Sequence, residues 1–255
     1  MLLALLFALI FGPGGESEFI STIPNLKKEI KINIPEKARR DSLLMLVNEY
    51  ESSIKSYQKT TDKMLKDVNQ VSTDRSVMSD EFLQYYDAFY QSRIALINSL
   101  IDYRLMFQQQ ITDKELMLVI EEAIVTSADM RREKEKLQEQ TEDKLNDAFA
   151  EILDIIDRNI VDPGKSETVT RSFFEFERTM YDNVDRSRDL DAERQSMLLN
   201  ANPTRDELRA MYEKSNRLRY QAARDFAILR EKVIQNTTPK EWDQINKELK
   251  AFFKS

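Results

Sequence analysis

The sequence predicts an all-α protein built as elongated tandem helical bundles, and three observations support that fold class. Only four glycines and six prolines occur in the whole chain, whereas a β-sandwich needs turn residues about every 8–12 positions. Charged residues make up 33% of the chain, which is typical of long solvated helices. Large apolar residues recur at alternating steps of four and three, the spacing of helices that pack along a heptad seam.

Residues 1–15 are predicted to be a signal peptide or a short hydrophobic anchor. Residues 1–11 are apolar throughout, a run shorter than the roughly 20 residues that span a membrane but suited to the hydrophobic region of a signal peptide. No lysine or arginine precedes the run, so a tail that docks on a partner remains the alternative. We therefore expect an exported protein of the cell envelope, periplasmic or membrane-associated, with residues 1–11 as its membrane contact.

Two heptad seams separated by a polar turn at 72–80 predict an antiparallel hairpin of long helices. The first seam consists of Leu43, Val47, Tyr50, Ile54, Tyr57, Thr61, Met64, Val68 and Val71. The second consists of Phe82, Tyr86, Phe89, Arg93, Leu96, Leu100, Tyr103, Phe107 and Gln110. Thr112 and Glu115 have the spacing of a capping box, in which hydroxyl and carboxylate bond reciprocally to backbone N–H groups. A further helix is therefore expected to begin there.

The second half of the chain is predicted to repeat the first at an offset of 126 residues. The positions that fall on the two seams are Val169, Phe173, Phe176 and Met180, then Leu208, Tyr212, Arg219, Phe226 and Val233. Thr238 and Glu241 repeat the capping box in phase. An internal duplication therefore predicts two helical-bundle modules, residues 19–128 and 145–254, joined by a charged connecting helix over residues 129–144.

The composition excludes most catalytic chemistry. The chain has neither histidine nor cysteine, which removes Ser-His and Cys-His nucleophiles and the usual zinc sites. A formal net charge of −7 argues against a nucleic-acid partner. We therefore expect a protein that is not an enzyme and uses no metal or cofactor.

Charged residues beside the seams are predicted to fix the register of each hairpin. Hairpin geometry places Glu49 about opposite Arg104, and the 126-residue offset places Glu175 opposite Arg230. Glu49 with Glu51, and Glu175 with Glu177, form acidic pairs that could serve acid-base chemistry. Interhelical ion pairs are the simpler interpretation here.

Arg93 and Arg219 are the candidate ligand-binding residues, because each places a guanidinium at a seam position. Such a group needs anionic or hydrogen-bonding partners. A small anion bound between helices would satisfy it, with Tyr86 and Tyr212 one turn away as hydroxyl donors, giving one equivalent site in each module. The alternative is that each arginine lies at the seam edge and reaches Asp62, Asp185 or solvent.

The hairpin tip is the candidate partner-binding surface, because aromatic residues cluster there and aromatic clusters are frequent at interfaces. The cluster consists of Tyr85, Tyr86, Phe89 and Tyr90; internal packing of these rings is the alternative. The leading hypothesis is thus a scaffold or adaptor that binds proteins or a second copy of itself. Tandem helical bundles are similar in architecture to the two-module sensor domains of some bacterial chemoreceptors, and this resemblance implies ligand sensing as the second hypothesis.

Overall fold

The computed structural model describes residues 16–119, 146–200 and 202–252, and over these residues the secondary structure is helical with no strand. The helices are α1 Glu16–Asn33, α2 Lys37–Ser72, α3 Ser79–Gln110, α4 113–119, α5 146–159, α6 Pro163–Leu199, α7 Arg205–Gln235 and α8 Pro239–Phe252. The prediction of an all-α helical bundle is confirmed. The predicted signal or anchor segment 1–15 and connecting helix 129–144 lie outside the described residues. Within them, no helix combines the length and apolarity needed to cross a membrane.

Side-chain caps mark the starts of α4, α6, α7 and α8. The Glu115 carboxylate accepts a hydrogen bond from the Thr112 N–H at 3.0 Å, and the Glu115 N–H donates to the Thr112 hydroxyl at 3.3 Å. The same reciprocal pair precedes α7 and α8, formed by Thr204 with Glu207 and by Thr238 with Glu241. At α6 the Asp162 carboxylate accepts from the backbone N–H of Gly164 at 2.9 Å, which satisfies a donor that the first turn leaves open.

The predicted seams of the first half face the interior. The seam residues Ile54, Val68, Phe82 and Tyr86 are all buried. Midway along α2, Ser53 Oγ lies 3.2 Å from the hydroxyl of Tyr103, in the last third of α3. Helices α2 and α3 therefore pack along the stripes that the heptad pattern identifies.

The largest hydrophobic core contains side chains from both halves of the chain. Its first-half members are Val68, Val77, Phe82, Tyr86 and Phe89, and its second-half members include Phe149, Phe173, Phe176, Phe226 and Trp242. Helix α3 packs against α7, and the rings of Phe82 and Phe226 lie 5.9 Å apart between centroids. The halves consequently share buried apolar surface, the main favourable term in folding.

Arg230 of α7 binds the chain reversal between α2 and α3. Its side chain is only 3% exposed, and its guanidinium lies over the rings of Phe82 and Trp242, at 5.7 Å and 5.6 Å from their centroids. It donates hydrogen bonds to the carbonyls of Ser72 at 2.9 Å, Val77 at 2.6 Å and Val71 at 3.3 Å, and to that of Asp74. Arg230 therefore satisfies carbonyls that the end of α2 leaves without helical partners.

The same chain reversal also binds the end of α7. Arg75 donates to the Ile234 carbonyl at 2.8 Å and to the Thr237 hydroxyl at 3.0 Å. The Trp242 indole N–H donates to the Thr73 carbonyl at 3.0 Å. Each half thus supplies an arginine to the helix C-terminus of the other.

Arg104 makes a matching contact at the other end of the α3–α7 interface. Its guanidinium donates to the Asn200 carbonyl at 2.9 Å, just as Arg230 donates to the Asp74 carbonyl. Arg104 and Arg230 differ by 126 residues, and so do Asp74 and Asn200. The donor and the acceptor therefore recur together at the offset found in the sequence.

These contacts correct the predicted ion pairs. Glu49 and Glu175 are exposed, whereas Arg104 and Arg230 bond to backbone carbonyls of the opposite half. The prediction that Glu49 pairs with Arg104 and Glu175 with Arg230 is wrong, because it considered each hairpin alone. In the fold, each arginine bonds instead to backbone carbonyls of the other half: Arg104 to that of Asn200, and Arg230 to those at the α2–α3 reversal.

Glu51 and Glu177 occupy equivalent positions in the two halves, but their surroundings shift the carboxyl pKa in opposite directions. Glu51 lies 2.5 Å from Lys27 Nζ and 2.5 Å from Lys55 Nζ. These hydrogen bonds, that of Lys27 first, lower the pKa of Glu51 to about 2. At Glu177, burial raises the pKa of the carboxyl, and the positions equivalent to the two lysines hold Leu153 and Tyr181.

At pH 7 we expect Glu51→Gln to lower the free energy of unfolding, whereas Glu177→Gln should leave it unchanged or raise it. A depressed folded pKa gives Glu51 a stabilising contribution above about pH 4.5, which is lost as the pH falls towards 2. Glu51→Gln should therefore cost about 0.5–1 kcal/mol at pH 7 and nothing near pH 2. Glu177 carries a raised pKa, so its charged form opposes folding at pH 7, and Glu177→Gln should be neutral or stabilising. Urea unfolding at pH 7, 4 and 2.5 measures the free energy of unfolding of both variants. A loss on Glu51→Gln that is equal at all three pH values would contradict the expectation.

Candidate functional site

The two seam arginines approach the same buried tyrosine. Arg93 is 7% exposed and Arg219 is 9% exposed, on α3 and α7 respectively. Burial raises the pKa of the Tyr86 hydroxyl, and the positive charges of Arg219 and Arg93 oppose that rise. Charges from α3 and α7, which belong to different halves of the chain, therefore act on one phenol.

Two asparagines, one on α6 and one on α7, have buried amide groups. Asn216 is 1% exposed and Asn183 is 5% exposed. Among the described residues, neither the oxygen nor the nitrogen of the Asn216 amide has a hydrogen-bond partner, and the Asn183 nitrogen has none either. Asn216 precedes Arg219 by three residues, so the two share one face of α7. A buried polar group without a partner costs about 1–3 kcal/mol, so these amides require an explanation.

Few charged side chains among the described residues are buried. They are Arg93, Arg219, Arg230 and Glu29. Glu29 lies on α1, where it accepts a hydrogen bond from Asn33 at 3.1 Å, and Arg230 donates to backbone carbonyls of the α2–α3 reversal. Arg93, Arg219, Tyr86 and Asp185 have further interactions within the protein, so the two arginines belong to a polar network. Buried guanidinium groups require anionic or hydrogen-bonding partners.

Tyr212 is the second-half equivalent of Tyr86. It is half-buried and packs against the small apolar cluster of Ile97, Ile101 and Leu208. Its hydroxyl influences Arg104, whose pKa burial lowers. Of the predicted tyrosine pair, Tyr86 is the one on which the charges of Arg219 and Arg93 are seen to act.

The predicted aromatic docking surface is largely internal. Tyr86 and Phe89 are buried in the shared core, and their stacked rings lie 5.9 Å apart. Tyr90 is half-buried and contacts Tyr220 of the second half at 5.5 Å between ring centroids. Only Tyr85, at 38% exposure, offers appreciable ring surface. The prediction of a partner-binding surface is thus wrong for Tyr86 and Phe89, because both are buried: Tyr86 packs against Tyr220 of the second half, and Phe89 packs against Tyr57 of α2.

Sequence reasoning identified the arginines and Tyr86 but missed Asn183 and Asn216. Asn183 follows Phe176 and Met180 on the α6 seam, whereas Asn216 lies four residues after Tyr212 on α7. For Asn183, a polar residue at a seam position is the same signal that singled out the arginines; Asn216 is equivalent to Tyr90, which lies beside the seam, and carries no such signal.

A comparison with protein-family models, with curated proteins and with solved structures gives no match. The interpretation of the site therefore depends on its own geometry.

Proposed function

We propose that this is a non-enzymatic binding protein that holds a small anion between α3 and α7. The observation that carries the proposal is the approach of two buried guanidinium groups, Arg93 and Arg219, to one phenol, with the Asn216 amide on the same face as Arg219. Guanidinium groups bind carboxylate and phosphate oxygens through paired N–H donors. An anion would join the existing network and give the Asn216 amide a hydrogen-bonding partner.

The proposal includes an internal duplication of two antiparallel helical hairpins. Its support is the recurrence of one contact at the 126-residue offset: Arg104 bonds to the Asn200 carbonyl as Arg230 bonds to the Asp74 carbonyl. Capping boxes at Thr112 and Thr238 recur at the same offset. Two such halves, packed face to face, would place equivalent side chains around a common centre.

Thermal unfolding with small probes tests the binding function. Sodium phosphate and sodium succinate at 10 mM, with sodium chloride at matched ionic strength as the reference, should raise the melting temperature of the full chain. A probe at 100 times its dissociation constant stabilises by about 2.7 kcal/mol, which corresponds to about 5–10 °C for a chain of this size. Neutral succinamide should give no shift.

Matched arginine variants make the test specific. Arg93→Gln and Arg219→Gln should lose the shift, whereas Arg158→Gln, which removes a half-exposed surface arginine, should keep it. Circular dichroism of each variant checks that it is folded. If both buried-site variants keep the full shift, the anion binds elsewhere and the proposal fails.

A second candidate is the scaffold or adaptor, and exposed apolar residues in the first half favour it. Ile32, Met45, Met106 and Leu118 are exposed, and the equivalent positions in the second half are Arg158, Arg171, Lys232 and Gln244. In this candidate the duplicated halves have diverged, and the first half carries the partner-binding residues. Met45→Arg with Met106→Lys copies the second half onto the first. A crosslinked partner should be lost in that folded variant, and its retention would rule the surface out.

The location in the cell envelope is likewise proposed, and it rests on the apolar run at residues 1–11. Mass spectrometry of the N-terminal peptide from the native source tests it. A start near residue 16 would support export, whereas an intact residue 1 in a protein recovered without membranes would contradict it.

A further inference from the structure

We infer that α3 and α7 separate from one end of their contact, the end at the α6–α7 reversal, while the α2–α3 reversal at the other end stays bound and acts as a hinge. The α6–α7 reversal is the turn between Leu199 and Arg205, and the α2–α3 reversal is the turn between Ser72 and Ser79. This opening does not depend on the proposed function, but it would give a ligand a route to the interface of α3 and α7.

The contacts between α3 and α7 run in opposite directions along the two helices. Ser79, at the start of α3, donates to the Ala227 carbonyl at 3.0 Å. Further along α3, Asp102 pairs with Arg205, the first residue of α7. Ser79 and Arg205 differ by 126 residues. The two ends of the contact are therefore equivalent at the offset found in the sequence, and their bonds can be compared directly.

The end at the α2–α3 reversal is held by buried bonds. Arg230 is 3% exposed and donates to four backbone carbonyls of this reversal. Arg75 of the reversal donates to the end of α7 at 2.8 Å, and the Trp242 indole N–H donates back to the reversal at 3.0 Å. Separation here would leave buried donors and acceptors without partners, which is costly in a low-dielectric interior.

The end at the α6–α7 reversal is held by more exposed bonds. The Arg205 side chain is 46% exposed and its partner, Asp102, is 50% exposed, and water readily replaces either member of such a pair. Arg104, the equivalent of Arg230, donates to the Asn200 carbonyl at 2.9 Å. Its Nη1 nitrogen has no hydrogen-bond partner among the described residues. Fewer bonds thus oppose separation at this end.

The sequence explains part of this difference. At the 126-residue offset, Leu116 replaces Trp242 and Ala201 replaces Arg75. Neither leucine nor alanine has a side-chain hydrogen-bond donor. Two of the side chains that join the halves at the α2–α3 reversal therefore have no counterpart of the same chemistry at the α6–α7 reversal.

The apolar contacts differ in the same direction. The largest hydrophobic core joins both halves and includes Val77 of the α2–α3 reversal. The cluster that joins the halves nearer the α6–α7 reversal has Ile97, Ile101 and Leu208 as its buried members. Leu116 lies in a cluster formed by first-half residues. Because hydrophobic stabilisation increases with buried apolar area, local opening should begin at the α6–α7 reversal.

Double electron–electron resonance between two spin labels tests the opening, since the chain has no cysteine of its own. Met106→Cys with Asp206→Cys reports on the end at the α6–α7 reversal. Lys232→Cys with Asp80→Cys is the equivalent pair at the other end, and all four positions are exposed. We expect one narrow distance distribution for the pair at 80 and 232, and an additional population at longer distance for the pair at 106 and 206. Both are measured without added anion, so a failure of anion binding leaves the result unaffected.

Two variants test whether the opening is confined to one end. Arg104→Ala should enlarge the longer-distance population at 106 and 206 by about 5–30-fold, because it removes a hydrogen bond that donates from a charged group. Arg205→Gln is a milder change at the exposed pair and should enlarge it by about 1.5–5-fold. Neither should change the distance between 80 and 232.

Three results would overturn the inference. The first is an equally narrow distribution for both label pairs in the wild-type background and in both variants. The second is a broader distribution at 80 and 232 than at 106 and 206. The third is a variant that moves both pairs together, which would show that α3 and α7 separate along their whole length and that the α2–α3 reversal is not a hinge.

Discussion

Replacing Arg230 by alanine should destabilise the protein by about 3–5 kcal/mol, a larger loss than any other single arginine substitution in the described residues. The substitution removes hydrogen bonds to four carbonyls at the chain reversal between α2 and α3. It also empties the space between the rings of Phe82 and Trp242. Buried carbonyls that lose their donor incur a desolvation cost, since the reversal is covered by α7. The melting temperature should fall by about 10 °C.

Arg104→Ala is the matched control, because Arg104 occupies the equivalent position in the first half. Arg104 is half-buried and has a single carbonyl bond, to Asn200. Its loss should cost about 1–2 kcal/mol. Equal effects of the two substitutions would contradict the assignment of Arg230 as the main connection between the halves, and differential scanning calorimetry measures both.

Phe82→Ala and Phe173→Ala should each cost about 3–5 kcal/mol and lower the temperature of one common unfolding transition. Phe82 belongs to the first half and Phe173 to the second, and both are fully buried in the shared core. Because the core spans both halves, loss of packing in either should unfold both together. Calorimetry that resolves two transitions, with each substitution moving only one, would show that the halves unfold independently.

Phe174→Ala is the control for Phe173→Ala. The two phenylalanines are adjacent in α6, but Phe174 is 52% exposed whereas Phe173 is 1% exposed. Truncating the exposed ring should change the free energy of unfolding by no more than about 0.5 kcal/mol. The contrast separates the effect of core packing from any effect of the substitution on the helix itself.

The helices and their buried faces were predictable because they depend on local patterns. Heptad spacing placed Ile54 and Phe82 inside, and the Thr112–Glu115 pair marked a helix start, since both signals act within a few residues of the chain. The hydrogen bonds of Arg230 were not predictable in this way. They join residues about 155 positions apart, and the arginine was therefore assigned to the nearest opposite charge within its own hairpin.

The site was predictable in its components but not in its assembly. A guanidinium at a seam position identified Arg93 and Arg219, yet the sequence suggested one site in each module. The packing of α3 on α7 brings both charges to Tyr86. That contact between the halves is not encoded by any short-range pattern. Phe89 is different, because its seam position already indicated the burial against Tyr57 of α2 that the structure shows.

The most direct test of the anion site is a crystal structure of the full-length protein grown with and without succinate at matched ionic strength. Our account predicts density for the anion between α3 and α7, near Arg93 and Arg219, with the Asn216 amide within hydrogen-bonding distance. Ligand density elsewhere on the protein, or an unchanged centre at a succinate concentration that saturates binding in solution, would contradict it.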